Sequence, residues 1–309
     1  MAAVGLDLGG TKCLGVVLEG GAVVAERVVP TPREGGDAVL DVLAGLATGL
    51  AQAVDRPLDR VGVGAPGLVD QEGVLRFAPN LRAATGLRVR DGLAARLGGA
   101  PVEVDNDATC AAWAEQRMGA ARGLDDVILV TLGTGIGGGI VSGGRLHRGA
   151  NRFAGEIGHM VVDPGGPPCP CGRRGCWERF ASGHGLGILA RDACVAGRAA
   201  RVLELAGGDP EAARGEHVAR ALGEGDAEAR AIMAEFARWV ALGLANLASV
   251  FDPQAFIIGG GLVASGDALL GPVRAAFADR LPGHGLRRPI AVVPAALGPL
   301  AGAIGAALL

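Results

Sequence analysis

No run of basic residues in this chain is longer than two; the pairs Arg173-Arg174 and Arg287-Arg288 are the limit, and the net charge is −3 over 309 residues. That leaves no electrostatic footprint for nucleic acid or an anionic membrane. The opening MAAVGLDLGG lacks a charged segment followed by a long apolar core, so no signal peptide is expected, and the chain is assigned to a reducing cytoplasm. The longest mainly apolar stretch, ALGPLAGAIGAALL at the C-terminus, is shorter than the ~20 residues of a membrane span and reads as a buried helix. Small-molecule partners are what these absences leave.

What is present is glycine. The chain has 54 of them in a composition that is half hydrophobic and 20% charged, which suits a globular protein with many tight turns and backbone-mediated contacts. Its length fits one large domain or two ordinary ones. From Val4 the runs VGLDLGG, CLGVVLEGG and AVVAERVV predict three short strands in a meander. A helix capped by Asp37 follows, with Val39, Leu43, Leu46, Leu50 and Val54 at helical spacing, and RVGVGAPG reads as the next strand. The segment VILVTLGTGIGGGIVSGG lies over the opening at an offset of 124 residues, pairing Leu8, Gly9, Gly15, Val17 and Gly20 with Leu132, Gly133, Gly139, Val141 and Gly144. A duplicated architecture in two similar lobes is therefore expected. In the second lobe, Ile232, Phe236, Trp239, Val240, Leu247 and Val250 mark the apolar side of a long helix, before the strand AFIIGGG and a final Ala/Gly-rich helix.

Two glycine turns stand at corresponding places, DLGGTK at 7–12 and LGTGIGGG at 132–139. Such turns can aim several backbone N–H groups at an anion. Neither fits the P-loop pattern or the GxGxxG that opens a Rossmann helix, and either alone is also an ordinary hairpin turn. Together with IIGGG at 257–261 they resemble the phosphate and adenosine loops of the actin-like ATPase and sugar kinase fold. With AGEIGH and CPCGRRGC added, the chain resembles the ROK family of sugar kinases and repressors over nearly its whole length. GCWERFASG, FAPN and FDPQAFIIGGGL are similar to the zinc-containing glucokinase branch of that family.

The resemblance implies an α/β actin-like ATPase (ribonuclease H-like) fold of two lobes, with a duplicated βββαβα architecture and an interdomain cleft. The expected domains are 1–115 with 299–309, and 116–298 carrying the zinc site. It further implies ATP and Mg²⁺ as cofactors. Asp7 would hold Mg²⁺ through water; Gly9, Gly10, Thr11 and Lys12 would line one phosphate loop; Gly133, Thr134, Gly135 and Gly137 the other; and Gly259, Gly260 and Gly261 would pass beside the adenosine.

VDNDATCAAWAEQRMG, from Val104, begins with three residues able to cap a helix that turns Ala111, Ala114 and Met118 to the core. One cap needs one side chain. A carboxylate at a helix start is held ionised by the dipole and can accept a proton from a sugar hydroxyl. Asp107 matches the family's catalytic base, and Asn106 is implied as a sugar contact. Asn80, Glu156, His159 and Glu178 fall where the family holds sugar hydroxyls, and Gly67 lets the backbone approach the ring, although each alone also reads as a turn, cap or surface residue.

Cys169, Cys171 and Cys176 allow three readings. A disulfide framework is disfavoured by compartment and odd count, and a CxxC redox pair is absent. For zinc, three thiolates need a fourth ligand, and His159 lies ten residues upstream. The family pattern of one histidine and CxCG…GC coincides with that Cys₃His set and implies structural Zn²⁺. Cys13, Cys110 and Cys194 read as core residues. The expected function is an ATP-dependent glucokinase acting on the 6-hydroxyl of glucose, working as a homodimer or homotetramer. The alternatives are another ROK hexose kinase (fructose, mannose, N-acetylglucosamine or N-acetylmannosamine), polyphosphate as donor, or a sugar-sensing regulator. Against the regulator, the first strand begins too early to leave room for a helix-turn-helix.

Overall fold

A computed structural model of the chain describes residues 3–78, 81–283 and 285–309. The predicted meander is present as β1 (Ala3–Leu8), β2 (Lys12–Glu19) and β3 (Ala22–Pro30), antiparallel in sequence. Helix α1 (Gly36–Ala53) leads to β4 (Arg60–Ala65), which lies parallel to β1. A small hairpin of β5 (Leu68–Val69) and β6 (Leu75–Phe77), helix α2 (Val89–Arg96), β7 (Val102–Asn106) and α3 (Asp107–Met118) complete the first series. The expected cap of α1 is shifted: Gly35 is the N-cap, and Asp37 sits in the first turn, where Arg96 takes its carboxylate at 3.0 Å. Val39, Leu43, Leu46 and Leu50 are buried as their spacing predicts.

The second series opens with β8 (Val127–Leu132), β9 (Ile136–Ser142) and β10 (Arg145–Leu146). After a helical insertion of α4 (Glu178–Ala181), α5 (Gly183–Val195), α6 (Ala200–Leu205), α7 (Gly215–Gly223) and α8 (Ala227–Phe251), the strand β11 (Ala255–Gly259), helix α9 (Asp267–Arg280), strand β12 (Ala291–Pro294) and helix α10 (Ala301–Ala307) follow. The two sheets have orders β3-β2-β1-β4-β7 and β10-β9-β8-β11-β12. With the separate β5-β6 hairpin set aside, the third, second, first, fourth and fifth strands of each series lie side by side, which is the duplicated plan expected. The offset of 124 residues carries over too: β1 and β8 begin at Ala3 and Val127, and β2 and β9 at Lys12 and Ile136.

Two compact units are distinguished by their internal contacts: Met1–Leu129 with Gly139–Gly155 and Ala295–Leu309, and Val130–Gly138 with Glu156–Pro294. In the first, α10 packs on β1, β4 and α3 at backbone distance. A Cβ on Gly5 would lie 1.9 Å from the Ala303 carbonyl oxygen, and one on Gly62 would lie 1.8 Å from that of Ala306. Alanine and glycine on the helix and glycine on the strands are the only residue types that close such a gap. Fully buried Glu115, on α3, fixes the approach to α10 by accepting from the Ala296 and Leu297 N–H groups at 2.9 and 2.8 Å.

In the second unit, α8 buries Ile232, Phe236, Val240 and Leu247. Val250 departs from the predicted apolar side and is 75% exposed, because it falls in the last turn before the left-handed cap at Asp252. By length and composition alone this helix could cross a membrane, yet 61% of its most apolar window is buried inside the protein. It is a core helix. Trp239, half-buried, stacks on Phe180 at 4.2 Å between ring centroids.

Candidate functional site

The first glycine turn joins β1 to β2. The Gly9 N–H donates to the Lys12 carbonyl at 3.0 Å, leaving Gly10, Thr11 and Lys12 exposed. Thr31, which is 8% exposed, holds this turn from outside: its hydroxyl donates to the Gly9 carbonyl at 2.7 Å and its N–H to the Thr11 carbonyl at 3.0 Å. Asp7 lies on β1 just before the turn. Its carboxylate fills the space left by Gly302, where a Cβ would be 2.8 Å from Oδ2. Burial, then the nearby Asp107 carboxylate, push the Asp7 pKa up to about 7, against the pull of Lys12.

β7 runs directly into α3, and the three polar residues at the junction divide the work. Asn106 is the cap: Oδ1 accepts from the Thr109 N–H at 2.9 Å, and Nδ2 donates to the Gly67 carbonyl at 3.1 Å. Asp105, almost fully buried, takes Arg148 Nε at 2.6 Å and Arg152 Nη2 at 3.2 Å on one oxygen. Asp107 takes no part in the cap, and its Oδ1 accepts the adjacent Ala108 N–H at 2.7 Å. Burial pushes its pKa up to about 6, with backbone N–H groups and Asn106 opposing. Such a group is ionised at neutral pH and close enough to it to work as a base. Gly67 has φ 85°, and a Cβ there would lie 2.1 Å from the Phe77 carbonyl oxygen, so the adjoining hairpin already requires glycine. Asn80 lies outside the described residues.

The second glycine turn joins β8 to β9. Gly133 N–H donates to the Gly135 carbonyl at 3.1 Å, Gly137 N–H to Thr131 Oγ1 at 3.1 Å, and Thr134 is exposed at the tip. The Gly183 N–H, at the start of α5, donates to the Gly133 carbonyl at 2.7 Å. Glu178 also reaches this turn, for a Cβ on Gly135 would lie 2.7 Å from Glu178 Oε2. Gly259 ends β11. Gly260 follows with φ 85° and is pressed on Leu132, and Gly261 lines a groove of about 490 Å³ with Leu262, Ala264, Gly215, Glu216 and Ala219.

His159 and Cys169, Cys171 and Cys176 converge in the second unit. Two isolated bridges, Val161 with Cys176 and Pro168 with Arg174, fold the segment back on itself. Gly175, at φ 66°, makes the tight passage, where a Cβ would lie 1.5 Å from the Asp163 carbonyl oxygen. The four donor atoms all lie within 4.8 Å of one another. Cys169 Sγ is 3.7 Å from His159 Nδ1, and Cys171 Sγ is 3.6 Å from Cys176 Sγ. A tetrahedral site with metal–sulfur bonds of ~2.3 Å has edges of about 3.8 Å, so the donor set fits a metal of that geometry. Burial pushes all three thiols up. At Cys171 the Arg173 N–H, the neighbouring thiols and the Arg173 charge reverse that, holding Cys171 below and leaving Cys169 and Cys176 above the ordinary value. Glu178 Oε1 touches the cluster at 3.2 Å from Cys169 Sγ, and His159 Nε2 faces Glu156 Oε2 at 3.8 Å. The remaining three cysteines, Cys13, Cys110 and Cys194, are buried and unbridged, as expected of core residues.

Thr31 and the Asp105–Arg148–Arg152 cluster carry no local sequence signal. Their partners lie 18 to 47 residues away, joined only by the fold.

A glucokinase of Streptomyces coelicolor is 42% identical over 309 residues, covering 98% of this chain and 96% of that protein. Among solved structures, a ROK family glucokinase from Streptomyces griseus in complex with glucose and AMPPNP superposes with a TM-score of 0.85 at 40% identity, covering 99% of this chain and 98% of the other. A ROK hexokinase from Thermus thermophilus matches with a TM-score of 0.82 at 37% identity, over 100% and 97% of the two chains. The ROK family model itself matches residues 3–309, and the chain belongs to the ROK family.

Proposed function

We propose that this protein is an ATP-dependent glucokinase. Asp107 carries the reading: its neighbours take the cap and the arginines, leaving one half-buried carboxylate at a helix N-terminus, held near pKa 6. In this role Asp107 accepts the proton of the glucose 6-hydroxyl as that oxygen bonds to the γ-phosphorus. The bond to the β-γ bridging oxygen breaks, and ADP leaves with the electron pair. Phosphoryl transfer is mostly positioning and charge stabilisation, which suits two turns of backbone N–H groups at Gly9–Lys12 and Gly133–Gly137.

The Asp7 and Asp107 carboxylates raise the local negative charge that a divalent cation neutralises, and Asp7 is the residue assigned to Mg²⁺ through water. The chemistry such a cation would supply at Asp7 is positive charge to offset that of the phosphates. The groove at Gly261 receives the adenosine, with Gly259 and Gly260 beside it. Asn106, Gly67, Asn80, Glu156, His159 and Glu178 are assigned to sugar hydroxyls, each paired because a buried unpaired hydroxyl costs ~1–3 kcal/mol. Zn²⁺ is assigned to His159 Nδ1 and the three cysteines, a closed set that leaves no position for an activated water and so a structural role. That use of His159 leaves Nε2 for the sugar, beside Glu156. Cytoplasmic conditions keep such thiols reduced.

The test is a coupled assay of the purified protein with ATP and Mg²⁺ against glucose, mannose, fructose, N-acetylglucosamine and N-acetylmannosamine. Glucose is expected to give the highest kcat/KM. A different preferred sugar transfers the assignment to another hexose kinase of the family, and no turnover of any sugar overturns it.

A further inference from the structure

Asp105 uses both oxygens of a carboxylate that is almost fully buried. Oδ1 accepts the N–H of Asn106, the residue before Asp107, at 3.0 Å, and Oδ2 accepts Arg148 Nε at 2.6 Å and Arg152 Nη2 at 3.2 Å. All of these residues belong to the first unit. The two arginines sit on the loop after β10, which closes on itself where the Ala154 N–H donates to the Arg148 carbonyl at 3.0 Å. Gln71, in the turn of the β5-β6 hairpin, ties down the middle of that loop, its Nε2 donating to the Ala150 carbonyl at 2.6 Å. One carboxylate therefore joins an anchored loop to the backbone at the end of β7.

As a means of holding a fold together this is a poor arrangement. Drawing a carboxylate and two guanidinium groups away from water offsets most of their attraction, so the cluster adds little net stability. Arg152 carries two further penalties: a φ of 63°, in the left-handed region that a long side chain disfavours, and a buried Nε with no partner among the described residues. The other described non-glycine residues with positive φ, Asp55 and Asp252, are aspartates, which tolerate that conformation. Backbone strain that the surroundings hold in place gathers where position matters to function. Position is what the cluster fixes. The Asn106 N–H on Asp105, with Asn106 Oδ1 on the Thr109 N–H and Nδ2 on the Gly67 carbonyl, makes three bonds that hold the residue immediately before Asp107.

We propose that Asp105, clamped by Arg148 and Arg152, is a positioning residue for Asp107: it fixes the Asn106 backbone so that the Asp107 carboxylate meets the hydroxyl it deprotonates. Asp105 itself touches no substrate in this scheme. The assignment rests on the reading of Asp107 as the base of a sugar kinase. A displacement of about 1 Å at a reacting group costs about a hundredfold in rate, so a shift of the peptide before the base is felt in kcat and not in either KM.

The experiment is a double-mutant cycle on the full chain: wild type, Asp105→Asn, Asp107→Asn and the pair, with melting curves confirming that each folds. Glucose phosphorylation is followed with radiolabelled ATP so that slow variants are measured. Asp105→Asn keeps the shape and removes the charge that holds the arginines; it is expected to lower kcat about tenfold to a hundredfold, with the glucose and ATP KM within about threefold of wild type. In the Asp107→Asn background the same change is expected to lower kcat less than about threefold, because no base is left to misplace. An equal fold-loss in both backgrounds overturns the proposal, since a merely structural role does not depend on the base. So does an unchanged kcat in the single variant, or a loss carried by the glucose KM alone, which would set Asp105 behind the sugar contact of Asn106 instead. Arg152→Gly serves where Asp105→Asn does not fold: glycine relieves the positive φ and leaves Arg148 on Asp105, and the same pattern is expected with a loss of kcat of about threefold to tenfold. If wild type phosphorylates glucose and the variants match it, this assignment alone fails. If wild type phosphorylates no sugar, or Asp107→Asn keeps the wild-type kcat, the underlying reading and this assignment fall together.

Discussion

Glu178 Oε1 lies 3.2 Å from Cys169 Sγ and 3.6 Å from His159 Nδ1, so a carboxylate at the start of α4 rests directly on the four-residue donor cluster. The cluster and the proposed sugar residues His159 and Glu178 are one mechanical object. Stripping the metal with a chelator, or replacing Cys171 with serine, is expected to raise the glucose KM at least ~10-fold, because two hydroxyl partners lose their orientation together. Metal content by mass spectrometry and the fluorescence of Trp177 follow the same change. Trp177 adjoins Cys176, is fully buried and donates to the Trp239 carbonyl at 2.8 Å, so collapse of the cluster alters its emission. Metal-free protein with unchanged glucose affinity would refute the coupling.

Asp107→Asn separates activity from stability. Loss of the general base is expected to lower kcat by ~10²- to 10⁴-fold. In the wild type, kcat should fall as pH drops through about 6, since the base must be ionised to accept the proton. The stability effect has the opposite sense. Between the ordinary carboxyl value of 3.8 and about 6 the folded state binds more protons than the unfolded one, so raising the pH through that window costs stability. Asparagine carries no such cost. Its melting temperature is therefore expected to exceed that of wild type at pH 7.5 and to match it near pH 4, and a lower value at pH 7.5 would contradict the assignment.

Much of this was legible in the sequence because it is periodic or local. The meander, the repeat at 124 residues and the cysteine cluster each declare themselves within a few positions. The junction Asp105–Asn106–Asp107 was only half legible: three cap-forming residues are visible, but which one caps depends on Gly67, Arg148 and Arg152. Val250 was misplaced because helical period alone does not show where the packing partner ends. Asp37 was misplaced as a cap because glycine two residues earlier could start the helix by itself.

Gly135→Ala probes the contact between the second glycine turn and Glu178. The added methyl would sit 2.7 Å from Glu178 Oε2, the mobile end of a side chain, so the protein folds and the carboxylate moves. Glucose KM is expected to rise ~5- to 10-fold with melting temperature nearly unchanged, as one hydroxyl bond is weakened. In a double-mutant cycle with Glu178→Gln, the two effects should be strongly non-additive, and simple additivity would show that Gly135 acts elsewhere.

Thr31→Val keeps the shape of the side chain and removes the hydroxyl that donates to the Gly9 carbonyl at 2.7 Å, while the backbone bond to Thr11 at 3.0 Å survives. The Gly9 carbonyl then loses a partner in a part-buried place, worth about 1 kcal/mol, and the turn is free to rotate its N–H groups away from a phosphate. Since Thr31 touches no substrate in this scheme, it acts as a positioning residue: the ATP KM should rise several-fold and the glucose KM should hold. Thr31→Ser restores the donor without the methyl and is expected to recover the ATP KM even if some melting temperature is lost. A purely structural role predicts the reverse order, with serine more damaging than valine to ATP use, because the methyl group and not the hydroxyl would then be what matters.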